Sequence, residues 1–369
     1  MAVEVRNRLL KNSAQKRLFG RDIMQSDYVA PVPLKAPTNS IGVRITFVIV
    51  ELICSVLPRG TGVRLLRKLF VPKSAVGDRF QADRARVEQH AVVQITLPGL
   101  PAAALTIFSP RDSSGNLPLV LWIHGGGWIG GTAAMAAPHT QVLAAQGFVV
   151  ASLDYSLAPE QCYPTPVLQS MAALDWLKDN AHRFGADPTR LVIGGESAGA
   201  QLASQVAALV TNPAYARRTG ITCALPAASL RAVILYNGIY DMTTFPQCRF
   251  PLSNLFRTSY FGRSDYRAAP RIGELSSARH ASANFPPTYI TAGDADPLES
   301  ESYQMDAVLR ALGVTVRSRY WTGSGLHLQH SFMSSLDSDA ACTVLSDTVQ
   351  FIAQHTARRQ VHQAESPEV

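Results

Sequence analysis

From about residue 90 onward, short runs rich in apolar and β-branched residues alternate with longer stretches of helical periodicity. Strands are predicted at 92–97, 104–108, 119–124, 148–154, 191–194, 232–236, 288–291 and 315–320. Segments such as PLVLWIH and GFVVASL are apolar without alternation, the pattern of strands buried on both faces. Helices are predicted at 134–146, 165–182, 198–210, 298–312 and 337–357; in the fourth, Leu298, Met305, Val308, Leu309 and Leu312 recur near a 3.6-residue period. This alternation predicts an α/β fold with a mostly parallel central sheet flanked by helices on both faces. The first two strands lie close together in sequence, as an antiparallel start would require.

Two regions break the rhythm. The stretch 239–284 is rich in Arg, Ser and aromatics and shows no strand pattern. The first 85 residues hold two apolar runs instead of an α/β alternation. Residues 41–57 are strongly apolar but carry Arg44 and Glu51 and end at Pro58. Two charges placed at mid-bilayer would cost about 2.5–3.5 kcal/mol each, so a buried or interfacial helix is expected there in preference to a membrane span. Residues 63–70 (VRLLRKLF) mix basic and apolar positions, as a helix lying on a surface does; packing over an active site as part of a cap is the other reading. The expected organisation is therefore an N-terminal helical segment at 1–85, a catalytic α/β domain at 86–357 with a cap insertion at about 239–284, and a polar tail at 358–369. Loops as long as 239–284 inside a compact domain usually carry function.

Charge changes this picture only at the N-terminus. The chain has 369 residues and a net charge of +7, but residues 1–73 contain thirteen Lys or Arg against four Asp or Glu, leaving the remainder slightly acidic. No nucleic-acid face is expected on the globular part. The basic arm reads as a solvated segment first, and as a contact for an anionic membrane surface second. Five cysteines, Cys54, Cys162, Cys223, Cys248 and Cys342, are odd in number and widely spaced, which supports neither a disulfide framework nor a zinc site. The start MAVEVRNRLLKNSAQK has no apolar core of a cleaved signal peptide, so a cytoplasmic setting is expected, with membrane association as a variant of it.

The strongest chemical signal is Gly195-Glu196-Ser197-Ala198-Gly199, between the apolar run LVIGG and a helix-like stretch. A serine on a strand-to-helix turn needs strained backbone angles and small neighbours, which Gly195 and Gly199 supply. The turn exposes the Ser197 hydroxyl, and the N-terminus of the following helix aims amide N–H groups at a developing oxyanion. A second signal, His124-Gly125-Gly126-Gly127-Trp128, follows the run PLVLWI. Its glycines let the backbone approach a substrate oxygen with no Cβ in the way. The amides of Gly126, Gly127 and Ala198 are the candidate oxyanion donors, and one such donor is typically worth about 3–4 kcal/mol of barrier. His124 and Gly125 are read as support for that loop. No Gly-Lys-Ser/Thr follows, which weighs against a phosphate loop.

Together these segments resemble the hormone-sensitive-lipase-like branch of the α/β-hydrolases: HGGGW at 124–128, DYSLAPE at 154–160, GESAG at 195–199 and PPTYITAGDADPL at 286–298. The resemblance covers about residues 85–357 and implies the α/β-hydrolase fold with a helical cap. It assigns the triad acid to Asp296 of the Asp-Pro-Leu sequence, just past a predicted strand, with Asp294 as a competitor that caps or turns the loop. The order Ser197, Asp296, histidine is that of the fold. Two histidines are available for the base. His327 follows a glycine-led loop, and His330-Ser331-Phe332 resembles the family's His-Gly-Phe. His327 is preferred here, with His330 as the alternative. Two departures from the pattern are Ser156, where Arg is frequent, and Gln169, where an acidic residue is usual; Asp154, Tyr155 and Glu160 are read as loop anchors.

The expected activity is a serine carboxylic ester hydrolase acting on small to medium acyl esters through an acyl-enzyme, with no metal or organic cofactor. The alternatives are a non-catalytic small-molecule receptor of the same fold, like the gibberellin receptors of that branch, and a membrane-associated deacetylase or amidase. Trp128, Phe256, Tyr260, Phe261 and Leu326 are candidates for an apolar acyl pocket, each equally readable as ordinary packing.

Overall fold

The computed structural model describes residues 59–69, 78–248, 250–262 and 271–358. Its strands are β1 (Val87–Gln89), β2 (Val93–Leu97), β3 (Leu100–Pro110), β4 (Leu117–Ile123), β5 (Val149–Asp154), β6 (Ala186–Glu196), β7 (Leu230–Tyr236), β8 (Thr288–Ala292) and β9 (Val316–Tyr320). The helices that matter here are α1 (Arg59–Leu69), α2 (Gln81–Ala85), α3 (Ala133–Ala145), α4 (Thr165–Asn180), α5 (Ala198–Thr211), α6 (Pro213–Thr219), α7 (Ser253–Phe261), α8 (Glu299–Ala311) and α9 (Asp339–Thr356). The strands join in one sheet in the order β1-β3-β5-β4-β6-β7-β8-β9, with β2 also paired to β3. From β5 to β9 every pairing is parallel, whereas β1, β2 and β5 all run antiparallel to β3.

The unbroken apolar runs explain this layering. In β4, Leu119, Leu121 and Ile123 point into one core cluster and Val120 and Trp122 into the other. In β5, Val149, Ala151 and Leu153 share the first cluster while Val150 joins the second. A strand with both faces buried has no polar position to alternate. Helices α4, α5 and α8 cover one face through residues such as Leu174, Val206 and Met305. Helices α3 and α9 cover the other through Val142, Leu143, Val344 and Phe351. Thr132 and Ser338 cap α3 and α9 by accepting from the N–H groups of Met135 and Ala341, a contribution of about 1 kcal/mol each.

Strand order reverses at β4: the chain leaves it for β5 on one side, then crosses back through α4 to β6 on the other. In open α/β sheets the crevice at the carboxyl ends of such strands is where ligands bind, and both glycine motifs sit there. The stretch 239–284 carries no strand among its described residues. It forms α7 and the short helical turns Phe245–Gln247, Ile272–Leu275 and Ser277–Arg279. In α1, Val63 and Leu66 are buried in the same core as the sheet's first face, so these two apolar positions of the run 63–70 pack on this protein, whereas Leu65 is exposed. The apolar run 41–57 lies outside the described residues. Among those described, no helix is long and apolar enough to cross a membrane.

Candidate active site

Ser197 stands between the last residue of β6 and the first of α5, with φ 54° and ψ −119°. A non-glycine residue held there stores about 1–3 kcal/mol of backbone strain, maintained by the packing around it. Two backbone bonds fix the turn: Ser197 N–H donates to Tyr236 O at 2.8 Å, and Gln201 N–H donates to Ser197 O at 3.1 Å. The flanking glycines are required by contact. A Cβ on Gly199 would lie 2.0 Å from Ile123 O, and one on Gly195 would lie 2.5 Å from the Gly199 carbonyl carbon. The elbow is thus pressed against the end of β4, which brings Ser197 under the glycine-rich loop.

The histidine beside the serine is His330. Its Nε2 lies 2.9 Å from Ser197 Oγ, and its Nδ1 lies 3.0 Å from both carboxylate oxygens of Asp296. This corrects the preference for His327. That residue is exposed at φ 53°, and its backbone N–H donates to Asp294 at 3.3 Å. The physical reason is the anchoring of the loop after β9. The Asp294 carboxylate also accepts from Leu328 N–H at 2.7 Å and Ser324 Oγ at 3.0 Å, while Leu328 O accepts from Ala295 N–H at 3.0 Å. These bonds pin 327–328 at the rim, and the chain then turns inward through His330. Ser331 follows at φ 66°, the left-handed conformation that the glycine of His-Gly-Phe would take without strain. That correspondence was the signal in the sequence that could have found His330.

Asp294 therefore caps a loop, and Asp296 is the carboxylate at the imidazole. Asp296 is 2% exposed, and its Oδ1 also accepts from Leu298 N–H at 2.8 Å. Burial draws the His330 pKa down, but the charge and hydrogen bond of Asp296, with a smaller contribution from Glu196, outweigh it, so the net pKa lies above the ordinary imidazole value. The ring of Phe250 meets the imidazole edge-on at 4.8 Å between centroids. Asn237, which no motif pointed to, places its side-chain amide nitrogen 2.9 Å from His330 Nδ1.

The loop after β4 is shaped by its glycines. Gly126 and Gly127 have φ of 116° and 61°. A Cβ on Gly126 would lie 2.3 Å from Gly130 O, and one on Gly127 would lie 2.8 Å from the Phe256 ring. Gly125 packs on the elbow itself, its absent Cβ 3.3 Å from that of Ser197. His124 is buried and stacks on Tyr155 at 4.4 Å, with Nδ1 donating to Gly125 O at 2.7 Å. Desolvation lowers its pKa, which keeps the ring neutral as a structural prop. The residues of the DYSLAPE segment anchor the same loop. Ala133 N–H donates to Asp154 at 2.6 Å, Tyr155 Oη donates to His124 O at 3.3 Å, and Glu160 pairs with Arg67 of α1 at 2.8 Å. The two departures from the family pattern meet each other: Gln169 accepts from Ser156 N–H and donates to Ser156 Oγ, both at 2.7 Å.

Above these groups lies a cavity of about 720 Å³, lined by Gly126, Gly127, Ser197 and His330 and, on its apolar side, by Leu66, Ile129, Phe250, Leu252 and Phe256. Of the five residues considered for an acyl pocket, Phe256 alone is among the lining residues. Trp128 is fully buried, donates from Nε1 to Gln201 at 3.1 Å and stacks on the buried Tyr260 at 4.8 Å. Phe261 packs against the core and Leu326 is 55% exposed.

A serine at a strained turn, an imidazole backed by a buried carboxylate and a glycine loop at the reversal point of a mostly parallel sheet together define the α/β-hydrolase class. The family model for the alpha/beta hydrolase fold matches residues 120–334. The chain belongs to that family, in its hormone-sensitive-lipase-like branch. It is 27% identical over 245 residues to the versiconal hemiacetal acetate esterase of Dothistroma septosporum, spanning 63% of this chain and 72% of that one. It is 29% identical over 279 residues to carboxylesterase NlhH of Mycobacterium tuberculosis, spanning 69% of this chain and 83% of that one. Among solved structures, esterase B from Lactobacillus rhamnosis shares the fold with a TM-score of 0.66 at 19% identity, over 86% of this chain and 97% of that one.

Proposed function

We propose that the protein is a serine carboxylic ester hydrolase that acts on small to medium acyl esters through an acyl-enzyme. The reading rests above all on one hydrogen-bonded line, from the Asp296 carboxylate through both nitrogens of His330 to Ser197 Oγ, opening into a cavity. Neutral His330 takes the Ser197 proton at Nε2 as Oγ attacks the ester carbonyl, since a serine hydroxyl is a poor nucleophile without a base. Asp296 orients the ring and stabilises the imidazolium that forms. The amides of Gly126, Gly127 and Ala198 receive the oxyanion, which needs no metal. His330 then protonates the departing alkoxide, and water repeats the sequence on the acyl-enzyme, releasing the acid and restoring Ser197.

A cavity of about 720 Å³ is within the usual range for small-molecule sites, roughly 300–1,000 Å³, and supports substrates short of a long-chain lipid. Helix α1 and the described part of 239–284 roof it as a helical cap would, through Leu66, Phe250, Leu252 and Phe256. The position of His330 favours hydrolysis over the receptor reading. The relatives' names favour ester over amide substrates. The test is a panel of p-nitrophenyl esters from acetate to palmitate, with the matching anilides, on wild type and Ser197→Ala. Turnover greatest on the shorter esters and lost by about 10⁴-fold or more in the variant is expected. Equal rates in wild type and variant, or turnover of anilides alone, would overturn the proposal.

A further inference from the structure

The end of β7 holds a residue that touches the catalytic line from the side. Asn237 is fully buried at φ 40°. Its backbone N–H donates to Thr291 O at 2.9 Å, and the carbonyl of the preceding Tyr236 receives the Ser197 N–H at 2.8 Å. The residue is therefore locked between the strand that leads to Asp296 and the turn that carries Ser197. Its side-chain amide nitrogen reaches to 2.9 Å from His330 Nδ1, the nitrogen that also faces Asp296 at 3.0 Å.

Resting on the hydrolase reading above, we propose that Asn237 is a positioning residue, whose amide oxygen shares the Nδ1 proton of His330 with Asp296 and holds the ring in the tautomer that can accept the serine proton. For Nε2 to accept from Ser197, the hydrogen of neutral His330 must sit on Nδ1. An amide N–H aimed at that N–H sets donor against donor, whereas the amide oxygen accepts from it. With the nitrogen toward Nδ1, the Asn237 oxygen is buried without a hydrogen-bond partner among the described residues. A half-turn about the last side-chain bond gives that oxygen a donor. The ring therefore decides the orientation. A neutral acceptor at Nδ1 also favours the imidazolium in the same sense as Asp296. The other groups that bear on the ring are the Glu196 carboxylate, which accepts from Ser334 Oγ, the Ser197 hydroxyl and the edge of Phe250.

A positive φ alone would also select asparagine at this position, so the test uses two residues that tolerate it. In Asn237→Asp the amide gives way to a second carboxylate at Nδ1, and the acid limb of kcat/KM should move up by about one pH unit. Asn237→Gly removes the acceptor, and the limb should move down, with kcat reduced about tenfold or more. The downfield proton resonance of the Nδ1–H, read by NMR without substrate, should shift in both variants. An acid limb and a proton resonance unchanged in both variants would overturn the proposal. The resonance decides this point even if wild type hydrolyses no ester, an outcome that would sink the hydrolase reading instead.

Discussion

Replacing His330 with alanine removes the imidazole whose Nε2 lies 2.9 Å from Ser197 Oγ and whose Nδ1 is held by Asp296. The remaining serine hydroxyl must then lose its proton to water, and the leaving alkoxide has no acid. Removing the base of such a unit typically costs about 10⁴–10⁶-fold in kcat, or roughly 5–8 kcal/mol of barrier. His327 provides the internal control because it lies only three residues away on the same loop. Its side chain is exposed, and the bond that ties it to Asp294 runs through its backbone N–H, which alanine retains. Alanine at φ 53° adds local strain of about 1–2 kcal/mol, so His327→Asn, which tolerates that angle, is the better comparison. Initial rates on p-nitrophenyl butyrate at pH 8 should fall by at least about 10⁴-fold in His330→Ala and stay within about threefold of wild type in His327→Asn. Thermal melts alongside would show that both variants are folded. An active His330→Ala together with an inactive His327 variant would refute the assignment of the base and the loop anchoring behind it.

Two further outcomes follow from pKa shifts. The Asp296 carboxylate holds the His330 imidazole above its ordinary pKa of about 6.5, and only the neutral ring accepts the serine proton. The acid limb of kcat/KM should therefore fall through a value above 6.5; a profile flat down to pH 5 would contradict this. His139 is buried beside Trp122 with neither ring nitrogen hydrogen-bonded among the described residues, and burial pushes its pKa down to about 4. The unfolded chain binds that proton from about pH 6.5 downward while the folded chain resists it, so stability is lost as pH falls from 6.5 toward 4. The loss attributable to this residue approaches about 3 kcal/mol. Urea midpoints should drop less steeply over this window in His139→Leu than in wild type. Parallel slopes would contradict that account.

The sheet was legible because burial on both faces leaves a mark in composition: 117–123 and 148–151 are apolar at every position. The three-residue β1 and the helices α2 and α6 carry too few apolar contacts to leave such a mark. Ser197 was legible for a local reason, since a strained turn must have glycine at 195 and 199 whatever lies around it. The histidine was harder. Its partners arrive from β6 and β8, and which of 327 and 330 turns inward depends on Asp294 pinning the loop, a contact between segments 33–34 residues apart. Asn237 was invisible because its place beside the imidazole comes from β7 lying between β6 and β8 in the sheet. Trp128 was open to two readings in the sequence, pocket wall or ordinary packing. Next to the glycines it looks like a pocket wall, but stacking on Tyr260 and its bond to Gln201 turn it into the core.

The most direct test of the central claim is covalent. A fluorophosphonate reacts with a serine only where an adjacent base and oxyanion donors activate it. Wild-type protein treated with such a reagent and digested for mass spectrometry should carry one adduct, on Ser197, in proportion to the esterase activity lost. His330→Ala should remain unlabelled over the same interval. Complete loss of activity with the adduct elsewhere, or full activity with Ser197 labelled, would contradict the account.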